Sequence, residues 1–147
     1  MAEAMGRELS EALPRAAMVV SPAIGGLIIG HEVARALGTP FLFTERDAET
    51  KKMSLRRGFT VKPGQTAVVI EDVITTGGST HDVIDVLADA GARVLAAGSI
   101  IDRSGGQANV GVPRVALATM QVAAHYPHQC PLCAQGIPVV KPGSRPA

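Results

Sequence analysis

The chain has 147 residues, 46% of them hydrophobic and 18% charged, which is enough apolar material for one core and excludes global disorder. Its net charge is +1 and only 3% of it is aromatic, with no Trp, so it carries neither the basic field nor the stacking rings of a nucleic-acid binder. The longest apolar stretch, residues 16–30, is interrupted by Ser21, Pro22 and three glycines and falls short of the ~20 residues that a membrane span requires. No basic region precedes it, and two cysteines do not make a disulfide framework. A single cytoplasmic domain over 1–147 is expected, with a Cys/His/Pro-rich tail at 123–147.

Residues 1–15, rich in Ala, Glu and Leu, predict a short helix ended by Pro14. Residues 17–20 predict a strand, broken at Ser21-Pro22-Ala23-Ile24-Gly25-Gly26. A helix follows, with Ile24, Leu27, Ile28, Ala34 and Leu37 near one face and Gly38 as its stop. Residues 40–43 predict a second strand. Residues 44–57 are highly charged with little periodicity and read as a long exposed loop, a feature that in compact domains is usually functional or mobile. After a turn at Val61-Lys62-Pro63-Gly64, the run Ala67-Val68-Val69-Ile70 has the pattern of a strand buried on both faces, ending at Glu71-Asp72. A helix is predicted from about 80 to 90, with Val83, Ile84, Leu87 and Ala88 inward and Ser79 and Asp82 at capping-box spacing. Two further strands are predicted at 93–101 and 115–120. Strands alternating with helices imply an α/β fold with a central, mainly parallel sheet flanked by helices.

The segment from Val68 to Thr80 carries the chemistry. Ligands in open α/β sheets sit beyond the carboxyl ends of strands, and here a strand runs into two acids, a Thr/Gly-rich turn and a helix start. Gly77 and Gly78 allow close backbone approach, the amides of 75–79 can point at an anion, and the helix N-terminus favours negative charge. The hydroxyls of Thr75, Thr76, Ser79 and Thr80 add donors, so a phosphate fits. Acids beside a phosphate either accept hydrogen bonds from sugar hydroxyls or face a divalent cation; both readings point to a sugar phosphate. No Lys follows the glycines, which excludes a Walker A loop.

Val68-Val69-Ile70-Glu71-Asp72-Val73-Ile74-Thr75-Thr76-Gly77-Gly78-Ser79-Thr80 resembles the phosphoribosyl diphosphate (PRPP) motif of type I phosphoribosyltransferases, and its Asp-Val-Ile-Thr-Thr-Gly wording is most similar to the orotate-using branch. The resemblance runs from about Val19 to Lys141-Pro142-Gly143-Ser144-Arg145. It implies the type I, Rossmann-like fold and Mg²⁺-dependent transfer of phosphoribosyl from PRPP to orotate, giving orotidine 5′-monophosphate and pyrophosphate in pyrimidine biosynthesis. A phosphoribosyltransferase for another base and a non-catalytic PRPP-binding regulator are the alternatives. By resemblance, Glu71 and Asp72 are catalytic and hold the ribose, and residues 73–79 (Val73, Ile74, Thr75, Thr76, Gly77, Gly78, Ser79) bind PRPP.

In the family a mobile loop at the position of 44–57 closes over PRPP, which assigns Arg46 to the diphosphate and either Lys51 or Lys52 as the catalytic lysine. The family's loop His is absent, and Arg56 and Arg57 are its possible substitutes. Arg103 matches an Arg that pairs with the orotate carboxylate, a bidentate task suited to a guanidinium, and Thr75 matches a Thr that touches the same base. The 21–26 loop is either a pyrophosphate-side loop or a plain turn. A shared-site homodimer is implied. Residues 1–15 have no match to the family's N-terminal hood over the base, so PRPP binding is expected to be better supported than base selectivity. In the tail, His125, His128, Cys130 and Cys133 offer a weak zinc set, a redox pair at Cys130-Pro131-Leu132-Cys133, or structural packing. His31 and His81 read as polar-face helix residues.

Overall fold

The structure, a computed structural model, describes residues 1–123 and 125–137. Along the chain lie α1 (Ala2–Ala12), β1 (Met18–Pro22), α2 (Leu27–Leu37), β2 (Phe41–Arg46), β3 (Met53–Leu55), β4 (Thr66–Ile74), α3 (Gly78–Asp89), β5 (Arg93–Asp102), β6 (Arg114–Thr119), a 3₁₀ turn (Pro127–Gln129) and α4 (Pro131–Ala134). The strands form one sheet in the order β3-β2-β1-β4-β5-β6. All neighbours pair in parallel except β3, which runs antiparallel to β2. This is the expected α/β architecture. The segment 141–145 lies outside the described residues.

The core follows from β4. Val68 and Ile70 share one apolar cluster with Leu9, Leu13, Ile29 and Val33 from the α1/α2 layer. Ala67 and Val69 share the other with Val83 and Leu87 of α3. All four β4 residues are fully buried, so the β-branched run does what its composition predicts. The chain leaves β1 towards β2 and returns on β1's other side as β4. The order therefore reverses between β1 and β4, the point at which open sheets of this type bind ligands. The β1–β4 register ends at Val20↔Val69, and β4 continues for five residues beyond it.

Four details depart from the sequence expectation. The buried face of α2 is Ile29, Gly30, Val33 and Ala34, while Ile24 and Ile28 stand exposed. The helix starts only at Leu27, which leaves Ile24 outside it and turns the 29/33 row inward. Second, residues 44–57 are not simply a loop: β2 extends to Arg46, and Thr44, Glu45 and Arg46 pair with Leu55, Ser54 and Met53. Met53 and Leu55 pack against the α3-side cluster, and polar contacts brace the turn: the Asp47 carboxylate accepts from Glu49 and Thr50, and Arg57 grips Glu45 with two bonds of 2.9 Å. Third, β4 does not stop at the acids but carries them within the strand. Fourth, α3 begins at Gly78, ahead of the expected start, and Ala88 is exposed.

Gly30 sits where α2 crosses the sheet. A Cβ there would lie 2.0 Å from Ser21 Oγ and 2.6 Å from Phe41 Cε2. Gly30→Ala is expected to destabilise the fold by about 1–3 kcal/mol, the usual cost of overpacking, measured as a lower urea midpoint at unchanged m-value.

Candidate active site

Side chains alternate along β4, so its two adjacent acids leave in opposite directions. Glu71 follows Val69 to the α3 side, where Thr80 Oγ1 donates to its Oε2 at 2.5 Å. Asp72 follows Ile70 to the α2 side and abuts the 23–26 loop: a Cβ on Gly25 would lie 2.6 Å from Asp72 Oδ2. Its Oδ1 accepts the Val73 amide at 2.8 Å. Both acids are half-buried. Burial pushes the Glu71 pKa up, the Asp72 charge adds to the rise, and the Thr80 donor opposes it.

A cavity of about 290 Å³ opens at the carboxyl end of β4, lined by Arg46, Glu71, Val73, Thr75, Thr76, Gly77, Gly78, Ser79 and Asp82. Gly77 occupies the N-cap of α3 at φ +85°, a left-handed conformation suited to glycine, and its bare Cα makes room for Val110. The first-turn amides of α3 have no partner within the helix and carry its positive dipole end, which makes this wall an anion cradle. Thr75 and Thr76 are exposed beside it and Ser79 is half-buried. Two expectations fail here. Thr80 is fully buried and turned to Glu71, away from the cavity. Ser79 and Asp82 form no capping box, because α3 starts too early and Asp82 pairs with Arg46 instead.

Arg46 ends β2 between that carboxylate and the Lys51 carbonyl, to which its Nη1 donates at 2.7 Å. Lys51 has φ +60° and directs its ammonium to the Ala48 carbonyl at 2.6 Å. Lys51 and Lys52 line a neighbouring cavity of about 320 Å³ that shares Arg46 and Asp82 with the first. The lysines thus stand next to the anion cradle, across the Arg46–Asp82 pair. Arg56 and Arg57 line neither cavity: Arg57 is committed to Glu45, and Arg56 lies 4.0 Å from Asp47.

Arg103 is exposed just past β5, and its amide donates to the Ile74 carbonyl at 2.8 Å, which sets it beside Thr75 at the carboxyl end of the sheet. Neither cavity counts it in its lining. Sequence reasoning missed its neighbour. Asp102 is only 1% exposed and accepts from the Ser104 amide at 2.8 Å, the Ser104 hydroxyl at 2.6 Å and the Gly106 amide at 3.0 Å, and it pairs with Arg114. Burial alone would raise its pKa, but the Ser104 donors and the Arg114 guanidinium outweigh it and hold the carboxyl at about 2. An Asp with Ser-Gly-Gly starting two residues on, as in Asp102-Arg103-Ser104-Gly105-Gly106, is the signal of such an Asx-type turn.

In the tail, Tyr126 stacks on His128 with centroids 5.8 Å apart. Cys130 caps α4 and Cys133 lies one turn on. The amide and thiol of Cys133 lower the Cys130 pKa. Among the described residues no three His, Cys, Asp or Glu side chains gather as a metal cage, so His125, His128, Cys130 and Cys133 are not brought together as a zinc set. His81 accepts a definite task, bonding the Asn109 carbonyl at 2.8 Å.

A switch-point crevice, a two-acid strand end and a Thr/Gly loop entering a helix make up the ligand face of a phosphoribosyl transferase domain, and residues 7–124 match the family of that description. An orotate phosphoribosyltransferase from Carboxydothermus hydrogenoformans is 48% identical over 99% of this chain and 75% of its own length. One from Desulforamulus reducens is 54% identical over 86% of this chain and 65% of its own. Among solved structures, an adenine phosphoribosyltransferase from Thermoanaerobacter pseudethanolicus superposes with a TM-score of 0.72 at 18% identity, over 80% of this chain and 79% of that one. The orotate phosphoribosyltransferase of Aeropyrum pernix does so with a TM-score of 0.62 at 29% identity, over 80% of this chain and 69% of that one. The chain belongs to the phosphoribosyltransferase family, in its orotate phosphoribosyltransferase branch. It spans about two thirds to three quarters of the length of these curated relatives.

The depressed Asp102 pKa has a measurable consequence. A carboxyl that is more acidic folded than unfolded contributes stability above its unfolded pKa and loses it as pH falls through the folded value. Thermal unfolding of the wild type should therefore show a loss of Tm between pH 4 and about 2 that Asp102→Asn lacks, and the variant should melt lower than wild type at pH 7.

Proposed function

We propose that this chain transfers phosphoribosyl from PRPP to orotate, releasing pyrophosphate. The observation that carries the reading is one cavity that joins an anion-binding helix start to an acid from the preceding strand. That pairing suits a ribose 5-phosphate: the amides and hydroxyls of 75–79 hold the phosphate, and Glu71 and Asp72 accept from the ribose hydroxyls on either side of β4. As the bond to the anomeric carbon breaks, positive charge develops on the ribose beside those acids, while negative charge develops on the diphosphate. Arg46, with Lys51 or Lys52 from the adjacent cavity, offsets the latter, and positioned charge of this kind supplies most of the rate. Orotate is already anionic and needs no strong base. Arg103 with Thr75 holds its carboxylate end. Mg²⁺ is the cofactor this reading implies; it would be brought by PRPP and would supply further positive charge at the leaving group. A cytoplasmic homodimer that shares its sites, and a single functional domain over the chain, belong to the same proposal.

Loss of orotate absorbance with PRPP and Mg²⁺ tests the reading. Turnover with orotate, and none with adenine or uracil, is expected; a melting point raised by PRPP without turnover would favour a binding regulator instead. Arg103→Ala should raise the orotate KM about tenfold or more, as loss of a charge-assisted bidentate contact does, and leave the PRPP KM within about twofold. Equal rises in both would remove Arg103 from the base site.

A further inference from the structure

Glu71 has one committed oxygen. Its Oε2 receives the Thr80 hydroxyl at 2.5 Å, and Thr80 is fully buried on α3 in line with Val83 and Leu87. Thr80 does not line the cavity, whereas Glu71 does. The hydroxyl therefore reaches any ligand only through the carboxylate. Nothing in helix formation requires a Thr here: its side chain caps no backbone amide of α3, and a β-branched hydroxyl residue is a mediocre helix former. Burial and the neighbouring Asp72 both work against the charged form of Glu71, and Thr80 is the donor that works for it.

From this geometry we propose that Thr80 is a positioning residue: it fixes the Glu71 carboxylate on the α3 side of β4, with its second oxygen left for the ribose of PRPP. The inference rests on the functional reading above, which gives Glu71 its contact with PRPP. Thr80 itself is not a catalytic residue and touches no substrate. Serine keeps the hydroxyl and preserves the role; valine keeps the shape and abolishes it.

The test is a double-mutant cycle on the whole chain, read by calorimetric titration of PRPP and by steady-state kinetics. Thr80→Val should weaken PRPP binding about tenfold, the worth of a hydrogen bond to a charged group, with the orotate KM within about twofold. Thr80→Ser should stay within about twofold of wild type. In a Glu71→Gln background, Thr80→Val should cost less than a further twofold, because the interaction it removes is already altered. Thr80→Ala replaces the valine variant if that one does not fold. Equal losses in both backgrounds, or parallel rises in the PRPP and orotate KM, would overturn the assignment while leaving the functional reading intact. A wild-type chain that binds no PRPP would overturn both.

Discussion

The burial of β4 on both faces is the constraint on which the rest depends. A strand packed by α1 and α2 on one side and α3 on the other must send successive side chains into different layers. Two consecutive acids at its end therefore cannot act as a side-by-side pair. Glu71 is delivered to the helix that begins the anion cradle, and Asp72 to the loop that follows β1. The separation relieves their mutual repulsion and lets one strand supply an acceptor to each side of the switch-point crevice. Because the β1 ladder stops at Val69, both acids lie past the last residue paired to β1 while β4 stays paired to β5, so the β1 side is where a ligand can reach the strand.

The cations beside the cavity are partnered before any ligand enters. Arg46 is neutralised by Asp82 and tied to the Lys51 carbonyl, and Lys51 points its ammonium back to the Ala48 carbonyl. The gain from an incoming diphosphate is then the difference between two pairings rather than the full energy of a new one. Both groups of the Arg46–Asp82 pair are about 40% exposed, so water screens their attraction and the exchange costs little. The cradle amides differ. They are fixed by the helix, and no side chain has to be displaced for them to bind an anion.

The strand-acids-loop-helix unit was legible in sequence because each part has its own local signal: a β-branched run, a Thr/Gly cluster, a helical period. The residues proposed around it are reached only through resemblance, since Arg46, Arg103 and the lysines lie on other elements. What stayed hidden was polar. The β2–β3 hairpin has only the Met53-Ser54-Leu55 alternation to betray it, too short to read as a strand, and is braced by Asp47 and the Arg57–Glu45 pair. Thr80 looked like one more phosphate donor, because a helix start displays its hydroxyls equally in sequence, and only the direction of the first turn decides which of them faces the strand. The exposure of Ile24 and Ile28 arises in the same way. A shift of three residues in the start of α2 rotates its apolar row.

Asp102 shows how the two ends of the ligand site are kept in register. Its carboxylate gathers Ser104, Gly106 and Arg114 and so shapes the segment that begins with Arg103. The far end of that segment does not hang free. Val110 is buried and fills the space that a side chain at Gly77 would need, and the Asn109 carbonyl is bonded by His81 from the first turns of α3. One loop is thus anchored at its start beside Arg103 and at its end against the N-cap of α3. Neither Asp102 nor Val110 lines either cavity. The distance between the two recognition elements is nevertheless fixed by them, because a buried ion pair and a close-packed glycine contact both resist small displacement. Glycine at 77 therefore meets two requirements together, a left-handed N-cap and a seat for Val110, and the second would be unmet by any residue with a side chain even where the backbone conformation could be tolerated.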